Sequence, residues 1–245
     1  MSGSAHGAEP EAVVETALHR APAECKVLAT GVFIVAVALV PRGPVFWPFA
    51  VDAALLALVA IAAQTSPRLL AGRLAIEAPF VLFVILLPIV SGREGLWLAL
   101  GILCKATLAV LATGVLAWTT PAPDILRGAE RLGAPRQLTA IAGFALRYLQ
   151  LLLDELRRMR LARAQRGDDA RWLWQAQSLG HTLAALTVRS FERGERVHAA
   201  MLARGYDGRM PALDLAPRAP ALAWPAALVL PVAALAVLAA ARGWM

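Results

Sequence analysis

The sequence predicts an all-α, polytopic integral membrane protein, with about five transmembrane helices and one charged domain of long amphipathic helices. Three observations carry that prediction. Of the 245 residues, 59% are apolar and 17% charged, and the mean hydropathy is +0.61. A soluble domain is nearer to about 45–50% apolar and about 25% charged, because it must keep a polar skin. The apolar residues gather in runs long enough for a bilayer. The charge gathers elsewhere: residues 124–218 hold sixteen of the 24 Lys and Arg and ten of the 17 Asp and Glu, a net of +6 within a formal charge of +7. A soluble enzyme and a disordered chain are both disfavoured by this composition.

The first 20 residues lack an apolar core of signal-peptide type, so they are expected to form a cytoplasmic N-terminal segment, residues 1–25. Four apolar runs follow in the region 26–118: Lys26–Val40, Val45–Ala63, Leu74–Val90 and Leu96–Trp118. A fifth, Ala221–Ala241, lies in the C-terminal segment 221–245. A helical span needs about 20 residues, within a range of about 17–25. Turn-forming segments separate the first four: Pro41 to Pro44, Gln64 to Arg68, and Ser91 to Gly95. Pro79 and Pro88 fall inside the third run, where lipid tolerates proline if neighbouring helices satisfy the freed backbone groups. Trp47, Trp97, Trp118, Trp224 and Trp244 sit at run ends, at headgroup level.

Orientation follows from the basic residues. Arg20, Lys26, Arg68, Arg73 and the sixteen of 124–218 fall on one side, against Arg42, Arg93 and Arg242 on the other. The positive-inside rule therefore predicts a multi-pass protein of the cell (inner) membrane, with residues 119–220 cytoplasmic. Nucleic acid is not an expected partner, since no exposed patch interleaves aromatic and basic residues. The bilayer is.

Three ionisable residues remain inside the runs. Glu77 lies four residues after Arg73, a helical pair spacing. Asp52 and Lys105 both lie well within runs that start outside, at similar depth, and are read as an intramembrane pair fixing helix packing, in preference to a substrate path. Cys25 and Cys104 stand alone in or beside apolar runs and read as packing residues rather than a disulfide or metal pair. His6, His19, His181 and His198 are scattered without ligand spacing, so no metal site is expected.

The segment 119–220 opens with Thr119-Thr120-Pro121-Ala122-Pro123, which breaks the fourth run, and a short helix then runs to Gly133-Ala134-Pro135. From Arg136 to about Arg166 the residues Leu138, Ile141, Ala145, Leu149, Leu152, Leu156 and Met159 step by three and four, an amphipathic helix. Gly167 and Asp168-Asp169 end it. A second such helix runs from about Gln175 to Arg204, through Leu179, Leu183, Leu186, Ser190, Gly194, Val197 and Met201. Gly194 costs about 1 kcal/mol against Ala in a helix interior, and close approach to another helix is the expected reason for it. Between the helices, Trp172 and Trp174 read either as contacts to the membrane surface beside Arg171 or as packing residues.

The two helices end alike, in Gln165-Arg166-Gly167 and Ala203-Arg204-Gly205. A glycine just past a helix end takes the left-handed cap without a steric penalty. The preceding arginine sits at the negative end of the helix dipole, a location favouring a cation by about 0.3–1 kcal/mol. Its guanidinium then projects from the tip, in a shape suited to bidentate carboxylate. Two copies suit acidic grooves on two partner proteins; two ordinary caps are the alternative.

At these residues the sequence resembles the transmembrane (T) component of energy-coupling factor transporters, in the cobalt-transport CbiQ-like branch. The strongest stretch is Arg189-Ser190-Phe191-Glu192-Arg193-Gly194-Glu195-Arg196-Val197, continuing through Ala200-Met201-Leu202-Ala203-Arg204-Gly205-Tyr206-Asp207-Gly208. Arg147-Tyr148 and Asp154 to Met159 are also similar, and the likeness covers nearly the whole chain. Members of the family carry two Ala-Arg-Gly signatures at the ends of coupling helices, which dock into two ATP-binding subunits. Ala203, Arg204 and Gly205 match one; Arg166 and Gly167 match the other, with Gln165 where alanine is usual. The resemblance implies a non-catalytic subunit that passes ATP-driven closure of its partners to a membrane substrate-binding (S) component. Cobalt is then the expected cargo, with a nickel or vitamin importer as the alternative. ATP and its Mg would be held by the partner subunits: this chain has no Gly-Lys dipeptide, and so no P-loop. A membrane-embedded enzyme is the remote alternative, and no Ser/His/Asp grouping or intramembrane pair of carboxylates supports it.

Overall fold

The computed structural model describes residues 16–41, 46–66, 70–75, 77, 81, 84, 87–167, 176–207, 220 and 223–243. Among the described residues the elements are helices: α1 Ala17–Arg20, α2 Ala23–Leu39, α3 Trp47–Ala62, α4 Leu87–Thr119, α5 Ala122–Arg131, α6 Arg136–Gln165, α7 Ala176–Ala203 and α8 Ala223–Gly243. Residues 70–75, 77, 81 and 84 are also helical. The chain divides into two compact units, residues 1–133 with 218–245, and residues 134–217.

In the first unit α2 is the hub, packed on α4, α5 and α8, while α3 packs on α4 and α8. The core joins Phe33, Ala36, Val37 and Val40 of α2 to Phe49 and Leu56 of α3, Leu108, Ala112 and Val115 of α4, and Ala234 and Leu238 of α8. Alanine is frequent on these contact faces, whereas Val35, Leu39, Leu58, Ile61, Val229 and Val232 point outward. Ile61 is 73% exposed. In water that distribution is unfavourable. In hydrocarbon it is ordinary, because helices associate there through close-packed small residues and the larger aliphatic side chains meet lipid.

Among the described residues, two stretches are long and apolar enough to cross a bilayer, Gly95–Thr119 with 25 residues and Ala223–Gly243 with 21. At 1.5 Å per residue they span about 38 and 32 Å. The α3 helix is apolar but has 16 residues, and α2 has 17. The third expected run, 74–90, falls partly outside the described residues. The turn expected at Ser91 to Gly95 is tighter than anticipated: helix continues on both sides, and the direction changes at Gly92, whose φ of 61° and ψ of −143° only glycine adopts readily. The ring of Phe46, at the start of α3, packs 5.7 Å from that of Trp97 in α4.

The Pro-rich break at residues 120–123 is sharp, yet α5 does not leave the first unit. Gly128 lets it approach α2 so closely that a Cβ there would lie 2.9 Å from the Glu24 nitrogen. The second unit comprises α6 and α7. Glu155 meets Arg189, and Arg163 meets Thr182; one residue number falls as the other rises, so the pair is antiparallel. On α6 no residue is buried. Leu138, Ile141, Leu149, Leu183, Val188 and Phe191 are exposed, Phe191 at 71%. Gly194 departs from expectation, since a Cβ there would meet nothing within 4 Å.

Candidate functional site

The expected intramembrane pair is replaced by two separate environments. The Lys105 ammonium donates to the carbonyl oxygens of Ala38 at 2.9 Å and Val40 at 2.6 Å. These are the last carbonyls of α2, which lack helical partners and carry the negative end of its dipole. Lys105 lies ten residues into the span that opens at Gly95, about 15 Å along it. A freed carbonyl at that depth has no water to bond, so the cation acts as a cap built from another helix. Asp52 is 1% exposed, and its Oδ1 has no hydrogen-bond partner. The apolar character of its surroundings, not a neighbouring cation, dominates its setting. The pairing failed as an expectation because α2 ends within the depth of α4 and presents the stronger claim on the lysine.

Glu77 is buried, and the Thr107 hydroxyl lies 3.2 Å from each of its carboxylate oxygens. The residue is thus tied to α4 rather than to Arg73, whose side chain instead lies over Gly114 of α4. Both cysteines are free, Cys25 buried and Cys104 half-buried.

The two helix ends singled out by sequence are built alike. Arg166 is the cap residue of α6, at φ −90° and ψ 11°; Gly167 follows at φ 78°, its N–H donating to the Ala164 carbonyl at 3.1 Å. At the end of α7, Gly205 has φ 80° and donates to Leu202 at 3.0 Å, while the Tyr206 N–H reaches back to Met201, also at 3.0 Å. That pair of bonds is the Schellman arrangement, in which a left-handed residue returns the chain to the orphan carbonyls of the last turn. Ala203, Arg204, Gly205, Arg166 and Gly167 are all exposed. Neither guanidinium forms an ion pair within the described residues. Asp168, Asp169, Trp172 and Trp174 lie outside the described residues, as does Arg171.

The middle of the second unit holds the two helices in register. Arg189 Nη1 donates to Glu155 Oε1 at 2.6 Å, and Arg158 Nη2 to Glu155 Oε2 at 2.9 Å. Hydrogen bonding from Arg158 and Arg189 holds the Glu155 carboxyl below the ordinary carboxylate range. Arg163 adds a 3.0 Å bond to Thr182. From this crossing Arg166 is eleven residues along α6 and Arg204 fifteen along α7, about 16 and 22 Å in opposite directions. The two arginine tips therefore stand at opposite ends of one hairpin, up to about 40 Å apart. Sequence reasoning identified the tips but missed the Glu155–Arg189 tie, whose partners lie 34 residues apart and share no local signal.

The family model described as cobalt transport protein, CbiQ, matches residues 15–213. The cobalt transport protein CbiQ of Rhodobacter capsulatus is 33% identical over 139 residues, covering 56% of this chain and 57% of that protein. The energy-coupling factor transporter transmembrane protein EcfT of Bacillus selenitireducens is 32% identical over 150 residues, 56% of this chain and 52% of its own. The EcfT protein of Staphylococcus aureus is 32% identical over 131 residues, 48% of this chain and 46% of its own. The chain spans about half the length of the curated relatives it matches. With the family match running through both arginine tips and most of the membrane unit, the chain belongs to the CbiQ cobalt transport protein family.

Proposed function

We propose that this chain is the transmembrane coupling subunit of an energy-coupling factor importer, multi-pass in the cell membrane, with residues 134–217 in the cytoplasm. In this reading it binds neither nucleotide nor cargo. Two ATP-binding subunits engage Arg166 and Arg204, and a membrane substrate-binding subunit receives the motion. The observation that carries the reading is the repeated cap: two exposed arginines, each followed by a glycine near φ 80°, at opposite ends of a single helical hairpin. One hairpin with two outward cations suits two copies of one kind of acidic groove. When nucleotide closes the two partners on each other, both ends of the hairpin are displaced together.

Cobalt is the cargo favoured by the family match and by the Rhodobacter relative, a cobalt transport protein. Nickel or a vitamin is the alternative, since a coupling subunit leaves selection of cargo to another chain. The test is purification from membranes through a tag on this chain. Two ATP-binding subunits and a small membrane protein are expected to accompany it, and the reconstituted complex should accumulate radioactive cobalt(II) in vesicles only with ATP. Purification of this chain free of ATP-binding subunits would refute the reading.

A further inference from the structure

Four of the seven buried polar or charged residues among those described, Glu24, Lys26, Thr119 and Thr120, gather where α2 begins and α4 ends. The Lys26 ammonium donates to the Thr119 carbonyl at 3.0 Å, at the last turn of α4, and to the His19 carbonyl at 3.1 Å, in α1. Arg131, at the end of α5, lies 3.6 Å from the Glu24 carboxylate. Gly128 brings the α5 backbone against Ala23 and Glu24, with no room for a side chain. Four helices, α1, α2, α4 and α5, are thereby fastened in one collar.

Buried ions are a poor way to gain stability, because desolvation offsets most of the attraction and an apolar replacement is often as stable. What they fix is position. The chain leaves this collar at Gly133, with φ 105°, and enters α6 three residues later. The short link between α5 and α6 is one of the two places where the chain passes between the units, and a force delivered along α6 reaches α5 directly through it. The collar joins α5 to α2, and α2 itself packs on both α4 and α8.

We propose that the collar of Glu24, Lys26, Thr119, Gly128 and Arg131 is a positioning element that passes motion of the coupling helices into α2 and so into the membrane unit. The inference rests on the coupling function proposed above. It assigns to Lys26 a role in converting ATP hydrolysis into movement rather than in assembly.

The complete complex, with both ATP-binding subunits and the substrate-binding subunit, is reconstituted in vesicles with K26M, K26R or G128A in this chain. ATP hydrolysis and uptake of radioactive cobalt(II) are measured together. K26M and G128A are expected to retain the partners and hydrolyse ATP near the native rate, while cobalt moved per ATP falls about tenfold. K26R, which keeps the two carbonyl contacts, is expected to recover most of the ratio. A native ratio in both K26M and G128A would overturn the proposal. So would loss of assembly in both, or hydrolysis and uptake falling in equal proportion in both, either of which marks the collar as merely structural. If only one variant assembles, the other criteria are read on that one. A native complex without ATP-dependent uptake would instead reject the coupling reading, and the collar's role with it.

Discussion

The two units of this protein use apolar residues in opposite ways. In the first, Phe33, Val37, Leu56, Leu108 and Leu238 are enclosed among helices, and the outward faces are mostly Val, Leu, Ile and Ala. In the second, no residue of α6 is buried, and exposed Leu138, Ile141 and Phe191 share their helices with exposed Arg147, Arg157, Arg196 and Glu192. A helix apolar on all sides suits hydrocarbon, while a helix with an apolar stripe among charges suits a protein surface. The first unit is thus complete once lipid surrounds it. Among its described residues the second has only a thin interior, and α6 and α7 are held side by side by the Glu155–Arg189 and Arg163–Thr182 contacts.

The sharpest way to break this contrast is at the tips. Reversing both cations in R166E/R204E should abolish co-purification of the ATP-binding subunits and all transport, while the variant still inserts and extracts from membranes as the native chain does. Retention of the complex would mean that the tips are ordinary caps. A smaller loss is expected from G167V or G205V. Each places a β-branched residue at φ near 80°, a strain of about 1–3 kcal/mol that turns the preceding arginine without removing its charge. Partner affinity, measured by titrating ATP-binding subunits onto the chain in detergent, should fall by roughly tenfold to a hundredfold.

Two further variants sharpen the account of the first unit. K105M leaves the terminal carbonyls of α2 without a donor, and a buried orphan carbonyl costs about 1–3 kcal/mol, so the Tm in detergent should fall by several degrees. D52N, which keeps shape and ends the isolation of a buried carboxylate, should leave Tm unchanged or higher. The double variant should be additive to within about 0.5 kcal/mol; strong coupling between the two would restore the ion pair that the geometry denies.

The smallest expected effect concerns pH and the second unit alone. Because Glu155 is held below the ordinary carboxylate range by Arg158 and Arg189, its contribution is present above the unfolded carboxylate value, about 4.3. It is lost as pH falls through the lower folded value. Amide exchange in α6 and α7 should therefore quicken below about pH 4 in the native chain, and E155Q should be insensitive over that range. An identical pH profile in the variant would remove Glu155 as the tie.

Much of the candidate site could be read from residues alone, because a helix end is a local object. The Arg166-Gly167 and Arg204-Gly205 caps follow from a glycine placed one residue past an amphipathic stripe, and the structure builds both as left-handed turns. The turn-forming run Ser91 to Gly95 was legible too, though not that the chain would bend at Gly92 with helix resuming at once on either side. Long-range partners were not accessible in this way. Asp52 and Lys105 have similar depth along their own helices, but depth says nothing about azimuth, nor that α2 stops short and leaves carbonyls beside α4. Gly194 reads like a contact glycine by spacing, and open space surrounds it; the glycine that does permit close approach is Gly128, in a short helix with no such signal.

By itself, then, the sequence determined the helical class, the apolar runs, the division of charge and the two capped arginine tips. Each of these follows from spacing within one segment or from a partition between water and hydrocarbon that composition already expresses. Only the tertiary structure decided that Lys105 caps α2, that Glu155 ties α6 to α7, and that Lys26 and Gly128 fasten α5 to the hub. Those contacts depend on which faces two distant segments turn toward each other, and no local periodicity encodes that.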